Sequence, residues 1–72
     1  MEPTPRQREI ARLIATEGLT YKETAARLGV SVHTVRNHVY GTPDRDGLLD
    51  RIGGRSALDI VRWHFTTSQD GE

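Results

Sequence analysis

An all-α fold, a small bundle of four to five helices containing a helix-turn-helix, follows from three features of this 72-residue sequence. Threonine-capped helix starts recur, each with Gln or Glu three residues later. Two of the helical stretches are joined by a glycine-containing turn of three or four residues, the spacing of a helix-turn-helix. Four segments carry apolar residues at helical spacing, and none reads as a strand.

The first segment, "TPRQREIARLIATEG", opens with Thr4 as N-cap and Pro5 at the first helical position, where the missing N–H would have no helical partner anyway. Gln7 stands three residues after Thr4 and completes a capping box. Ile10, Ala11, Leu13 and Ile14 form one apolar stripe, and Gly18 ends the helix. The second segment, "TYKETAARLG", repeats the device with Thr20, Glu23 and Gly29. Ala25 and Leu28 face inward there, and Ala25 and Ala26 are small enough to admit a neighbouring helix.

The third segment covers residues 31–40, "SVHTVRNHVY", with Ser31 as N-cap. At about 100° per residue, Val32, Val35 and Val39 share one face. His33, Arg36, Asn37 and Tyr40 gather within roughly 100° of arc on the other, with Thr34 at its edge. Gly41 and Pro43 both oppose continuation of the helix, so "GTPDRDG", residues 41–47, is a turn-rich break. "LLDRIGG" is apolar but too short to hold a helix without packing. The last segment, "SALDIVRWHF", takes Ser56 as N-cap with Asp59 three residues later. Ala57, Leu58, Val61 and Phe65 form its core stripe, while Ile60 and Trp63 lie to the side. Trp63 reads as the margin of the core or, with Ile60, as a dimer or partner surface, since Trp is enriched among interface anchors. The expected core is Ile10, Leu13, Ile14, Ala25, Leu28, Val35, Val39, Leu48, Ile52, Leu58, Val61 and Phe65. One domain spans residues 1–66, and residues 67–72 form a disordered polar tail.

Composition narrows the class. A chain this short buries only about 60% of its unfolded surface and is marginal in stability. It has no cysteine, which excludes disulfides and thiolate metal sites. No apolar run approaches the roughly 18 residues of a membrane span, and the start "MEPTP" is no signal peptide, so a cytoplasmic, nucleoid-associated protein is expected. Formal net charge is zero, but it is unevenly distributed. Residues 6–39 carry six basic against three acidic side chains, and residues 40–72 carry four against six. Exposed charges are screened beyond about 10 Å, so the basic half sets the local attraction for phosphate.

No catalytic constellation is present: no Gly-x-Ser-x-Gly, no cysteine, no carboxylate pair in an apolar setting. The chain therefore reads as a non-enzyme that needs no cofactor. His33 and His38 stand five apart and do not share a helix face, so no metal site is expected. His38 falls on the flank of the buried face. The third segment remains. Arg bonds guanine O6 and N7 with two parallel hydrogen bonds, Asn does the same to adenine, and the major groove admits a helix. His33, Arg36, Asn37 and Tyr40 are the candidate base-contacting residues. Thr20, Tyr21, Lys22 and Thr34 are the candidate phosphate ligands, by charge or hydroxyl near helix starts.

These residues resemble the LuxR/GerE-type helix-turn-helix domain of bacterial transcription regulators. "KETAARLGVSVHTVRNHV" is similar to its Lys-Glu-Ile-Ala-x-x-Leu-x-[Ile/Val]-Ser-x-x-Thr-Val-Lys-x-His pattern, and "LLDRIGGRSALDIV" to its later Ile-Leu-x-Lys-Leu-Gly-x-x-Ser-Arg-x-Glu-Ala-Val. The resemblance covers about residues 3–63. It implies base reading by Arg36, Asn37 and Tyr40, and phosphate contacts near Thr20, Lys22, Thr34 and His33. It also implies a homodimer through the C-terminal helix. Among its departures from the pattern, Ala57 replaces the Arg after the Ser, and eight residues separate Val39 from Leu48 where the family has about two.

The expected function is thus that of a stand-alone bacterial or phage transcription regulator that binds double-stranded DNA with residues 31–40 in the major groove. The alternative is an adaptor or anti-repressor using the same fold to bind RNA polymerase or another regulator. Residues 41–47 are either a tolerated surface loop or a functional one. Asp44 and Asp46 there oppose phosphate, and Arg45 attracts it.

Overall fold

The computed structural model describes the backbone of residues 2–70 and side chains through Thr66. The expected tail, residues 67–72, lies outside the described side chains. Five helices and one short hairpin follow in order: α1 (Pro5–Glu17), α2 (Tyr21–Leu28), α3 (Val32–Tyr40), β1 (Gly41–Thr42), β2 (Arg45–Asp46), α4 (Leu48–Ile52) and α5 (Ala57–Asp70).

The helix ends form where their chemistry directs. Thr4 Oγ1 accepts from the Gln7 N–H at 3.1 Å while Gln7 Oε1 accepts from the Thr4 N–H at 2.9 Å. Thr20 and Glu23 make the same reciprocal pair at 3.1 and 2.9 Å. Each box satisfies two of the N–H groups that a helix start leaves without intrahelical partners. Ser31 Oγ accepts from the Thr34 N–H at 3.1 Å, which starts α3 after the three-residue turn Gly29–Ser31. At the head of α5, Asp59 Oδ2 accepts from the N–H groups of Arg55 and Ser56, at 2.7 and 3.2 Å.

The core joins Ile10, Ala11 and Ile14 of α1, Ala25 of α2, Val35 and Val39 of α3, Leu48 and Leu49 of α4 and Ile60 of α5. Leu13 is buried as well. Leu28, Ile52, Val61 and Trp63 are partly buried against this cluster. Two expectations are corrected here. Leu58 and Phe65 are not core, being 58% and 44% exposed, and Ile60, expected on a partner surface, is fully buried. Trp63 is half-buried on the core margin. The helix is turned by roughly 100° from the expected phase. Apolar residues cover more than half of its circumference, so periodicity alone has no unique solution. The α4–α5 turn sets the phase: a Cβ on Gly54 would lie 2.6 Å from the Asp59 Cβ, so the turn presses directly on the first turn of α5.

The third correction concerns residues 41–47, read as a break without strand. They form an antiparallel hairpin in which Gly41 pairs with Asp46 and Thr42 with Arg45. Its two-residue turn is Pro43-Asp44. Among the described residues none other than glycine has positive φ, so the turn is neither type I′ nor type II′. The twist of the remaining turn types splays the strands, which accounts for a ladder of only two pairs. Both flanking glycines are sterically required. Gly41 sits at φ 88°, and a Cβ on it would lie 2.6 Å from the Gly47 nitrogen and 2.8 Å from the Arg45 oxygen. A Cβ on Gly47 would strike the backbone of Val39, Tyr40 and Gly41.

Gln7 locks this hairpin to the bundle. Its side chain is buried, and Nε2 donates to the carbonyl oxygens of His38 at 3.3 Å and Asp46 at 3.2 Å. One amide thus joins the first turn of α1, the last turn of α3 and β2.

Candidate nucleic-acid interface

Helix α3 is anchored by Val35 and Val39, both fully buried, and this directs the opposite face to solvent. His33, Arg36, Asn37 and Tyr40 are all exposed on it. Among the described residues, the side chains of His33, Arg36 and Asn37 make no hydrogen bond or ion pair with the rest of the chain. Other cations are engaged: Arg6 with Glu9 at 3.2 Å, Arg8 with Glu2 at 2.9 Å, Arg27 with Glu17 at 2.9 Å. An Arg and an Asn with free donors on a fixed helix face are the groups that match guanine and adenine edges.

The two flanks of α3 differ. Arg36 and Tyr40 border α2. The Tyr40 hydroxyl donates to the Tyr21 oxygen at 3.4 Å, and the rings meet edge to face with centroids 5.8 Å apart. Burial is the largest cause of a raised Tyr21 pKa, and the Arg36 charge only partly opposes it. The Tyr21 phenol is therefore a neutral hydrogen-bonding group at physiological pH. A depression of about 390 Å³ lies beside them, bounded by Thr20, Tyr21, Tyr40, Arg55 and Ser56. Lys22 is exposed on the same flank with no ion pair among the described residues.

On the other flank Thr34, Asn37 and His38 border an open groove of about 820 Å³, whose far wall is Arg6 of α1 and Arg45 of the hairpin. Asp44 and Asp46 line it too. His38 is half-buried, and its pKa is lowered by burial first and then by the charges of Arg6 and Arg45.

The expected phosphate ligands thus divide. Thr20, Tyr21 and Lys22 stand on one side of α3, and Thr34 stands on the other. Thr20 has a second duty, since its hydroxyl and N–H are both held in the α2 capping box. The N-terminus of α2 already carries the Glu23 carboxylate, whose pKa is lowered by hydrogen bonds from Thr20. Lys22 is therefore the stronger anion ligand on this side. Of the expected partner surface on α5, Ile60 is unavailable, and the exposed apolar side chains are Leu58 and Phe65. Arg6 and Arg55 escaped sequence reading because only the tertiary fold brings them beside α3. No local signal marks either.

Among the described residues no three His, Asp or Glu side chains gather in a metal-ligand arrangement. No helix among them is long and apolar enough to cross a membrane.

Comparison with known proteins adds one finding. The family model for sigma-70, region 4 matches residues 4–40, which is 37 of the 72 residues. The matched stretch runs from the Thr4 cap through α3 and ends at Tyr40, immediately before the hairpin. No curated protein and no solved structure gives a significant match.

Proposed function

The chain belongs to the sigma-70 region 4 family, and from that premise we propose that it is a sequence-specific DNA-binding transcription regulator with α3 in the major groove. The observation that carries this reading is the outward face of α3, where Arg36, Asn37 and His33 hold polar groups unpaired among the described residues, on a helix fixed by Val35 and Val39. Arg36 and Asn37 read bases, with His33 and Tyr40 beside them. Lys22 holds phosphate, helped by the hydroxyls of Thr20, Tyr21 and Thr34. The protein acts by binding, without catalysis or cofactor, in the cytoplasm. The likeness to LuxR/GerE-type regulators over about residues 3–63 supports the same reading. One helix reads only a few base pairs, so selectivity calls for a second copy or clustered sites. Leu58 and Phe65 on α5 are the exposed apolar side chains available for such a dimer.

The same two side chains, with a net charge of zero, favour one other reading: a module that docks on RNA polymerase or another regulator. Selection of duplexes from a random pool by the wild-type protein at about 150 mM salt separates the two, because non-specific binding has largely weakened there. A recurring motif is expected, and a symmetric one would report a dimer. Recovery without any motif would favour the docking module.

A further inference from the structure

The hairpin has no counterpart in the sequence patterns that α1–α3 follow, yet the fold holds it in one place. Gly41 and Gly47 allow its base to close against the end of α3, and the buried Gln7 amide pins Asp46 to α1. This is a positioned element rather than a slack loop. Thr42 and Arg45 are cross-strand partners and so share one face of the ladder. Arg45 is exposed, and among the described residues its guanidinium has neither an ion pair nor a hydrogen bond. Arg6 stands in the same groove wall. Its contact with Glu9 is a 3.2 Å surface pair, the kind that contributes little and yields readily to a stronger anion.

We propose that the groove between the first turn of α1 and the hairpin is a second phosphate site, in which Arg45, with Arg6, holds the DNA backbone on the side of α3 away from α2. The inference rests on the reading of α3 as the base-reading helix. A helix in the major groove has a phosphate strand on each side. Lys22 and Tyr21 stand toward one strand, and Arg45 and Arg6 stand toward the other. A phosphodiester is a monoanion with two free oxygens. The forked donors of Arg45, together with the hydroxyls of Thr34 and Thr42 at the groove, suit that geometry. Arg6 and Arg45 line this groove together with His38, whose positive form both disfavour. Asp44 and Asp46 line the same groove and oppose the anion, which limits the strength of the site. They give the proposal its sharpest test, because removing one should tighten binding.

The test uses fluorescence anisotropy on two duplexes of equal length, the motif selected by the wild type and a scrambled version, from about 50 to 200 mM salt. Arg45→Gln is expected to weaken both duplexes by the same factor and to lower the salt slope by about 0.9, one phosphate's share. The wild type's advantage over this variant then shrinks about 3- to 4-fold across that salt range. Asp44→Asn is expected to tighten both duplexes, and Arg62→Gln on the exposed side of α5 serves as the charge control. A scan of duplexes with single uncharged methylphosphonates should reveal a position where the wild type loses affinity and Arg45→Gln does not. Wild-type affinity and slope in both Arg45→Gln and Asp44→Asn, with Arg36→Ala still losing motif preference, would overturn the phosphate site and leave the reading of α3 intact. A wild type that prefers neither duplex, with Arg36→Ala behaving identically, would overturn the reading and the site with it.

Discussion

Gln7→Glu is a nearly isosteric change that the capping rule alone would tolerate, since Glu is a standard third residue of a capping box. The structure says otherwise. The acceptor half of the side chain survives, because a carboxylate oxygen can still take the Thr4 N–H now held at 2.9 Å. The donor half does not. An oxygen replaces Nε2, which donates to the carbonyls of His38 and Asp46 at 3.3 and 3.2 Å. Two net hydrogen bonds are lost at about 0.5–1.5 kcal/mol each, and a carboxylate is left facing two carbonyl oxygens in a buried position. An uncompensated buried charge of this kind costs about 3–5 kcal/mol. A domain of this length typically has roughly 4–11 kcal/mol in all. At about 4–8 °C per kcal/mol, the melting temperature followed by circular dichroism should fall by at least 12 °C or so at pH 7. The variant also carries a pH signature. The two carbonyls raise the new carboxyl's pKa, so between its unfolded and folded values the native state holds more protons, and stability is regained as pH falls. A Gln7→Glu protein melting within about 2 °C of the wild type at pH 7 would refute the claim that this amide joins α1, α3 and the hairpin.

Three further outcomes are expected from chemical and thermal denaturation. Ile60→Ala should cost about 2–5 kcal/mol, because Ile60 is fully buried, whereas Leu58→Ala on the exposed face should stay within about 0.5 kcal/mol; the reverse order would restore the α5 phase that periodicity suggests. Thr24 Oγ1 is buried without a hydrogen-bond partner, so Thr24→Val should raise stability by roughly 1 kcal/mol, and a loss of that size would show that the hydroxyl is satisfied in solution. The wild type should lose stability in two stages as pH falls. Below about 6.5 the unfolded chain takes up a proton that His38 resists in the fold, and below about 4 the favourable contacts of Glu23 and Asp59 are protonated away. His38→Gln should flatten the first stage alone, and an unchanged profile would remove His38 as its source.

The parts legible in the sequence are those governed by a few neighbouring residues. The Thr4–Gln7 and Thr20–Glu23 boxes, the glycine stops at Gly18 and Gly29, and the outward set His33, Arg36, Asn37 and Tyr40 all follow from spacing within a turn or two. What escaped depends on distance along the chain. The Gln7 amide reaches residues 31 and 39 positions away, which no local pattern records. The hairpin ladder has two residues a side, too few for an alternation to register, and it depends on the mutual approach of Gly41 and Gly47. The face that α5 buries is chosen by its turn and by Ile60, against a wider apolar stripe that points away. The flanking cations Arg6 and Arg55 belong to helix ends that meet α3 only in the folded bundle.

The central claim is a division of labour, with base reading by the face of α3 and phosphate holding by the α2 flank. The most direct test compares base-preference profiles for the wild type, Arg36→Ala and Lys22→Ala, measured in parallel at one salt concentration. The account predicts that Arg36→Ala loses preference at one base position, with about 1–3 kcal/mol of discrimination, while Lys22→Ala keeps the full profile and binds every sequence more weakly. Identical profiles for all three proteins, or a position lost in Lys22→Ala and kept in Arg36→Ala, would contradict it.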